Sequence, residues 1–367
     1  MGVFMRAFVG LIVAGLLFFT GCNKDSSTRP SCVSGWSPFA QGVDGGINAV
    51  ASDGDSLYIG GAFAITEGAD YSCGLATWRD GVWRSVGAET LSVSRLLIHD
   101  HQPVVHGWFG WAHAEEGIGQ WDGQSWQAMN AGLDNRRTWA LASYQGAVIA
   151  GGRLRIGSDI VIGRWDGAQW QSIGKLSAFA ATTALCTHGV NLIAAGTFVE
   201  IDGVPAPYIA EWDGAAWHSM GNDANEGRPL LGDISAMASD GSWLYAAGSF
   251  RFEEDRTFYG IAAWDGLAWT AYGDTLVGTV NSLVPQNGRL FACGRIAHRR
   301  AEVRNQVMRW SGSSWVSLGD QLDGAAPGWV STGIASLAMH RGSLVAAGWF
   351  THAGSVRVNS VAQWCDP

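Results

Sequence analysis

Charge is scarce in this chain. Asp, Glu, Lys and Arg make up 15% of 367 residues, and their balance is a net charge of −9. Binding to nucleic acid needs a basic footprint, so no such partner is expected. Cysteine is sparse as well: there are six, and no pair has the spacing of a zinc site. The sequence contains no nucleophile elbow, no phosphate-cradling loop and no spacing that marks a Ser–His–Asp triad. No catalytic residue, metal or cofactor is therefore assigned. The apolar run from Phe8 to Phe19 has the length of a signal-peptide core and is too short to cross a bilayer.

What is abundant is glycine (51) and tryptophan (20). Fourteen of the tryptophans fall into seven pairs, six of them five residues apart and usually written Trp-Asp-Gly-x-x-Trp. The unbroken copies are Trp78/Trp83, Trp121/Trp126, Trp165/Trp170, Trp212/Trp217, Trp264/Trp269 and Trp310/Trp315. The seventh is divided between Trp364 and Trp36. Successive first tryptophans lie 43 to 54 residues apart, close to the length of a four-stranded propeller blade. A repeat cut across the termini implies a closed ring. The expected fold is all-β, a seven-bladed β-propeller over residues 34–367 whose last blade is completed by the N-terminal strand.

Residues 138–174 show how one blade is read. Thr138 to Ala142 forms a strand, Gln145-Gly146 turns, Ala147 to Leu154 returns, and Val161 to Trp165 follows a loop. Asp166-Gly167-Ala168-Gln169 then joins Trp165 to Trp170, so the two tryptophans face each other across a hairpin. Each first strand carries a matched large apolar residue: Val50, Leu97, Leu141, Leu185, Met237, Leu283 or Leu337. Each second strand carries glycine near its end, which suits the narrow inner part of a blade.

Two resemblances extend this reading. Phe19-Thr20-Gly21-Cys22 after the apolar run resembles the lipobox of bacterial lipoproteins, with Phe in place of the usual Leu. It implies cleavage after residue 21, acylation of Cys22 and a polar tether over 22–33; Asn23 implies outer-membrane sorting. Leu57-Tyr58-Ile59-Gly60-Gly61 and Leu244-Tyr245-Ala246-Ala247-Gly248, each followed by a Trp-centred hairpin, resemble kelch-type repeats. They are closer still to the Trp-Asp-Gly-x-x-Trp variants of bacterial envelope proteins. The resemblance is specific for fold and weak for function. Export permits disulfides, and Cys32 and Cys365 flank the expected seam, so they are expected to pair; two unpaired thiols are the alternative. Cys186 and Cys293 read as buried apolar residues.

The short turns share one face, and long, divergent connections share the other, which marks the second face for binding. Glu253, Glu254, Arg299 and Arg300 are its candidate contacts. The second position of each first strand reads Asn48, Arg95, Trp139, Thr183, Ser235, Asn281 and Ala335, a polar and aromatic set near the channel mouth. It suits either a polar ligand or water-bound lining. His99-Asp100-His101 reads as a solvated turn rather than a metal site. The expected function is a monomeric, non-catalytic, lipid-anchored envelope protein that binds a protein or glycan and touches membrane only through its anchor. The alternatives are a carbohydrate-active enzyme with an axial site and a purely structural envelope protein.

Overall fold

The computed structural model describes residues 35–65, 74–87, 90–110, 115–134, 137–221, 230–252, 259–273, 276–298, 301–324 and 333–365. Among them the fold is all-β. Seven antiparallel sheets have four strands or more, and an eighth has three. The third sheet is representative: Thr138–Tyr144, Ala147–Ile156, Asp159–Trp165 and Trp170–Leu176 follow one another as neighbours. The seventh sheet takes strands from both ends of the sequence. Gly35–Pro38 pairs with Val361–Cys365, in the register Trp36↔Trp364. Cys22 and Cys32 lie outside the described residues.

The turn chemistry explains why the hairpins recur. Asp122, Asp166, Asp213 and Asp265 each accept two backbone N–H groups from the turn that follows, and Ser311 does the same in the sixth sheet. These bonds favour the ionised carboxylate. The N–H of Ser125, then that of Gln124, holds Asp122 at about 2. The first sheet differs despite identical Trp spacing. There Asp80 and Gly81 occupy a two-residue turn with φ of 54° and 84°, and Arg79 pairs with Val82.

All seven tryptophan pairs are cross-strand partners, with ring centroids 5.3 to 5.7 Å apart. The second member of each pair is buried. It acts as a wedge between sheets. The indole N–H of Trp36, Trp170 and Trp217 donates to the carbonyl of Leu318, Met129 and Ile173 in the preceding sheet. Gly87, Gly174, Gly273 and Gly319 pass directly under the next sheet's wedge, where a Cβ would meet an indole. The core is accordingly a series of interfaces: Trp217, for example, packs with Ile162 and Leu176 of the third sheet and Ala194 and Ala210 of its own.

The seven first strands run Asp44–Ser52, Thr90–His99, Thr138–Tyr144, Thr182–His188, Leu230–Ser239, Leu276–Gln286 and Gly333–His340. Each packs beside the next, and Gly333–His340 packs beside Asp44–Ser52. Near the end of these strands histidines link neighbours. His99 Nδ1 shares a hydrogen bond with Ser143 at 2.9 Å, His188 with Ser239 at 2.8 Å, and His340 with Ser52 at 2.9 Å. This corrects the reading of a solvated turn for His99 alone, which is 6% exposed and joins two sheets, while Asp100 and His101 are exposed turn residues.

His340 also gives a pH dependence. Burial, then the Arg341 charge, lowers its pKa below the ordinary 6.5, against the opposing pull of Asp53 and Asp55. A base with a depressed folded pKa stabilises the fold above its unfolded pKa, and that contribution is lost as pH falls through the folded value. Thermal midpoints should therefore drop as pH falls from about 7 to about 5, and His340→Gln should flatten that part of the profile. An unchanged slope in the variant would place the titration elsewhere.

Two short hairpins sit outside this plan. Glu200–Ile201 and Val204–Pro205 extend the third sheet to six strands, with Ile201 paired to Leu176. His352–Ala353 pairs with Val356–Arg357 on one side and with Leu322–Asp323 on the other to make the three-stranded sheet. Both lie in segments of equal length between a buried phenylalanine, Phe198 or Phe350, and the first tryptophan of a pair, Trp212 or Trp364.

Candidate functional site

Every first strand is interrupted by a register shift of one residue against its partner. The extra residues are Asn48, Ser94, Trp139, Thr183, Ser235, Asn281 and Ala335. A bulge of this kind re-aims a side chain out of the alternating pattern. In the second sheet the position belongs to Ser94, not Arg95, and the matched apolar residue is Leu96, not Leu97. A second shift, between Thr90 and Ser92, makes alternation counted along the sequence fail there. Arg95 occupies a place filled elsewhere by Ala49, Ala140, Ala184, Ala236, Ser282 and Ser336.

The bulge also explains the glycine in each second strand. A Cβ at Gly61, Gly107, Gly152, Gly196, Gly248, Gly294 or Gly348 would overlap a backbone carbonyl oxygen of the facing strand. Close backbone approach, rather than a taper in the packing, requires glycine at these positions.

The bulged side chains join sheets. Asn48 Nδ2 donates to Val93 O (2.8 Å), Thr183 Oγ1 to Ile234 O (2.6 Å), Ser235 Oγ to Val280 O (2.8 Å) and Asn281 Nδ2 to Ile334 O (2.7 Å). Each acceptor lies in the next sheet along the chain. Arg95 takes the same direction, with Nε donating to Trp139 O and Nη1 to Ser94 O. The polar set thus has a structural duty, and what it offers a ligand is limited to the groups left over.

Together these residues line a cavity of about 690 Å³, with rungs of Val50, Leu96, Leu141, Leu185, Met237 and Leu283 beneath them. Arg95 is the only ionisable residue among the described residues of the lining. Solvent reaches it through the cavity, yet the enclosing strands strip away bulk water and lower its pKa; a guanidinium remains charged at neutral pH regardless. A second cavity of about 670 Å³ lies by Lys175, Asp159 and the exposed Phe179, where Lys175 pairs with Asp159 at 2.8 Å.

Of the remaining candidates, Glu253, Glu254, Arg299 and Arg300 lie outside the described residues. Cys186 and Cys293 are free thiols, half-buried and fully buried, and desolvation pushes Cys186 up to about 12. Sequence reading missed a ring next to the bulges. The residue between each second-strand glycine and a buried Phe, Leu or Ile is Ala62, Trp108, Arg153, Thr197, Ser249, Arg295 or Trp349. Trp108 is 48% exposed, and Trp349 Nε1 donates to Asn48 Oδ1 at 3.0 Å. The Gly-x-Phe spacing was the available signal.

No family model matches the chain, and no curated protein matches it. Solved structures do. The β-propeller domain of the Trilobed protease from Pyrococcus furiosus aligns with a TM-score of 0.57 at 10% identity, over 88% of this chain and 95% of that one. The computationally designed Ika8 protein aligns with a TM-score of 0.51 at 15% identity, over 88% and 97%. YCF48 bound to D1 peptide aligns with a TM-score of 0.52 at 12% identity, over 91% and 98%. At these identities the likeness establishes the β-propeller fold and nothing of the chemistry.

Proposed function

We propose that this chain is a lipid-anchored, kelch-like propeller of the bacterial cell envelope, and that one face of it docks a protein or glycan. In this reading residues 1–21 are removed, Cys22 is acylated, 22–33 form a tether and 34–367 close into seven blades. The Trp36↔Trp364 pairing and the packing of Gly333–His340 beside Asp44–Ser52 support closure. In the same reading Cys365, which directly follows Trp364, is the proposed disulfide partner of Cys32.

The observation that carries the binding assignment is the contrast between the two faces. On one face short Asp- or Ser-capped turns repeat from sheet to sheet, as at 122–125, 166–169, 213–216, 265–268 and 311–314. The opposite connections differ in length and carry the added hairpins at 200–205 and 352–357. Uniform turns fit a structural role, and divergent ones fit recognition. The lining of the inner cavity supports a binder over an enzyme, because Arg95 is its sole ionisable group among the described residues and axial acid–base chemistry needs a proton-transfer pair. Among known structures, that of YCF48 contains the D1 peptide, a precedent for peptide binding by that protein.

The test is an array of envelope glycans and envelope proteins probed with the full chain. Paired alanine replacements of Glu253 with Glu254, and of Arg299 with Arg300, should leave the melting curve within about 0.5 kcal/mol of the parent. The affinity for the partner should fall by about 1 kcal/mol or more for a pair within the interface. Binding that survives exchange of every long connection would defeat the assignment. Lipidation is checked separately, by loss of fatty-acid labelling in Cys22→Ser.

A further inference from the structure

Among the described residues that line the inner cavity, one carries an uncompensated charge. Arg95 has five N–H groups; one at Nε and one at Nη1 go to the carbonyls of Trp139 and Ser94, leaving three for a ligand. No carboxylate among the described residues pairs with it. The rest of the described lining is neutral. Two of its hydroxyls are not free to donate to a ligand. The single proton of Thr183 Oγ1 goes to a backbone carbonyl, Ile234 O or Ala195 O, and that of Ser235 Oγ to Val280 O or Ala247 O, while Asn281 donates one of its two amide protons to Ile334 O. Thr183 and Ser235 therefore present acceptor lone pairs to the cavity, and Asn281 keeps its carbonyl oxygen as an acceptor beside one remaining N–H.

From this arrangement we propose that the cavity binds a small hydroxylated carboxylate, of the acidic-sugar class, with its carboxylate on Arg95 and its hydroxyls donating to Thr183, Ser235 and Asn281. A guanidinium fork matches a carboxylate in shape and charge. One cation neutralises one negative charge, so a phosphate dianion would carry an unbalanced charge into the cavity. An ammonium donor would be repelled by Arg95, whereas a hydroxyl is not. A volume of about 690 Å³ lies within the usual range for small-molecule sites. The site shares no residue with the long connections proposed to dock a partner, so either can fail without the other.

The experiment is ligand-observed saturation-transfer NMR on the full chain, titrated with glucuronate, glucose, acetate and glucose 6-phosphate to about 10 mM, enough to half-fill a site of millimolar Kd. Glucuronate should bind about tenfold more tightly than glucose, which lacks the charge, and than acetate, which lacks the donors. Arg95→Gln should reduce glucuronate binding about tenfold. Because Arg95 also joins two sheets, Ala335→Phe serves as the second variant: it fills the cavity with Arg95 intact and should abolish binding at an unchanged melting temperature. The proposal is overturned by no saturable signal from glucuronate, by equal binding of glucose, by tighter binding of glucose 6-phosphate, or by full affinity in either variant.

Discussion

Internal deletion of residues 35–43 should abolish cooperative unfolding. These residues contribute little sequence but occupy three core sites. Trp36 is 8% exposed, packs edge-on against Trp364 and donates to Leu318 O at 2.6 Å. Phe39 fills a niche between Trp78, Trp83 and His340, and Val43 is buried beside it. Removing a buried aromatic costs about 3–5 kcal/mol, and two aromatics with a valine approach the whole stability of a typical domain, about 5–15 kcal/mol. The loss would appear in thermal melts as a broad or absent transition. Trp36→Ala alone should give a cooperative but lowered melt, by about 3–5 kcal/mol. A deletion variant that melts as sharply and as high as the parent would show that the strand is dispensable.

Gly196→Ala should be nearly as damaging, for the addition of one methyl group. Its Cβ would overlap the Ala181 carbonyl and crowd Thr182 Cα, both backbone atoms that no rotamer can move. Overpacking of this kind costs about 3 kcal/mol. Gly189→Ala, in the same sheet, is the control. It lies in the turn at φ 58° with nothing near a Cβ, and should cost about 1 kcal/mol through backbone strain alone. Urea midpoints of the two variants decide the matter; equal losses would mean that the bulge relaxes around the new methyl group.

The tryptophan hairpins were legible because they are local. Both members of a pair and the capping Asp lie within six residues, and a five-residue spacing leaves few ways to join two strands. The cavity was only partly legible. Six of the seven side chains at the bulges could be listed from the start of each first strand, but alternation has no way to register an extra residue. The second sheet was therefore misread by one, as Arg95 for Ser94. The hydrogen bonds from Asn48, Thr183, Ser235 and Asn281 span 45 to 53 residues and connect separate sheets, so no local pattern encodes them. His99 was misjudged for the same reason: its partner, Ser143, belongs to the next repeat.

The last strand of six of the seven four-stranded arrays is only three or four residues long. The exception, Trp170–Leu176, has its first N–H taken by Ala131 O and its end taken by Ile201 and Asp202. Unpaired backbone along a sheet margin is what lets one molecule add strands to another. Here a neighbouring molecule finds almost no ladder to extend. In concentrated solution, self-association of the folded protein is thus governed by its side chains and its net charge of −9, and not by β-pairing between copies.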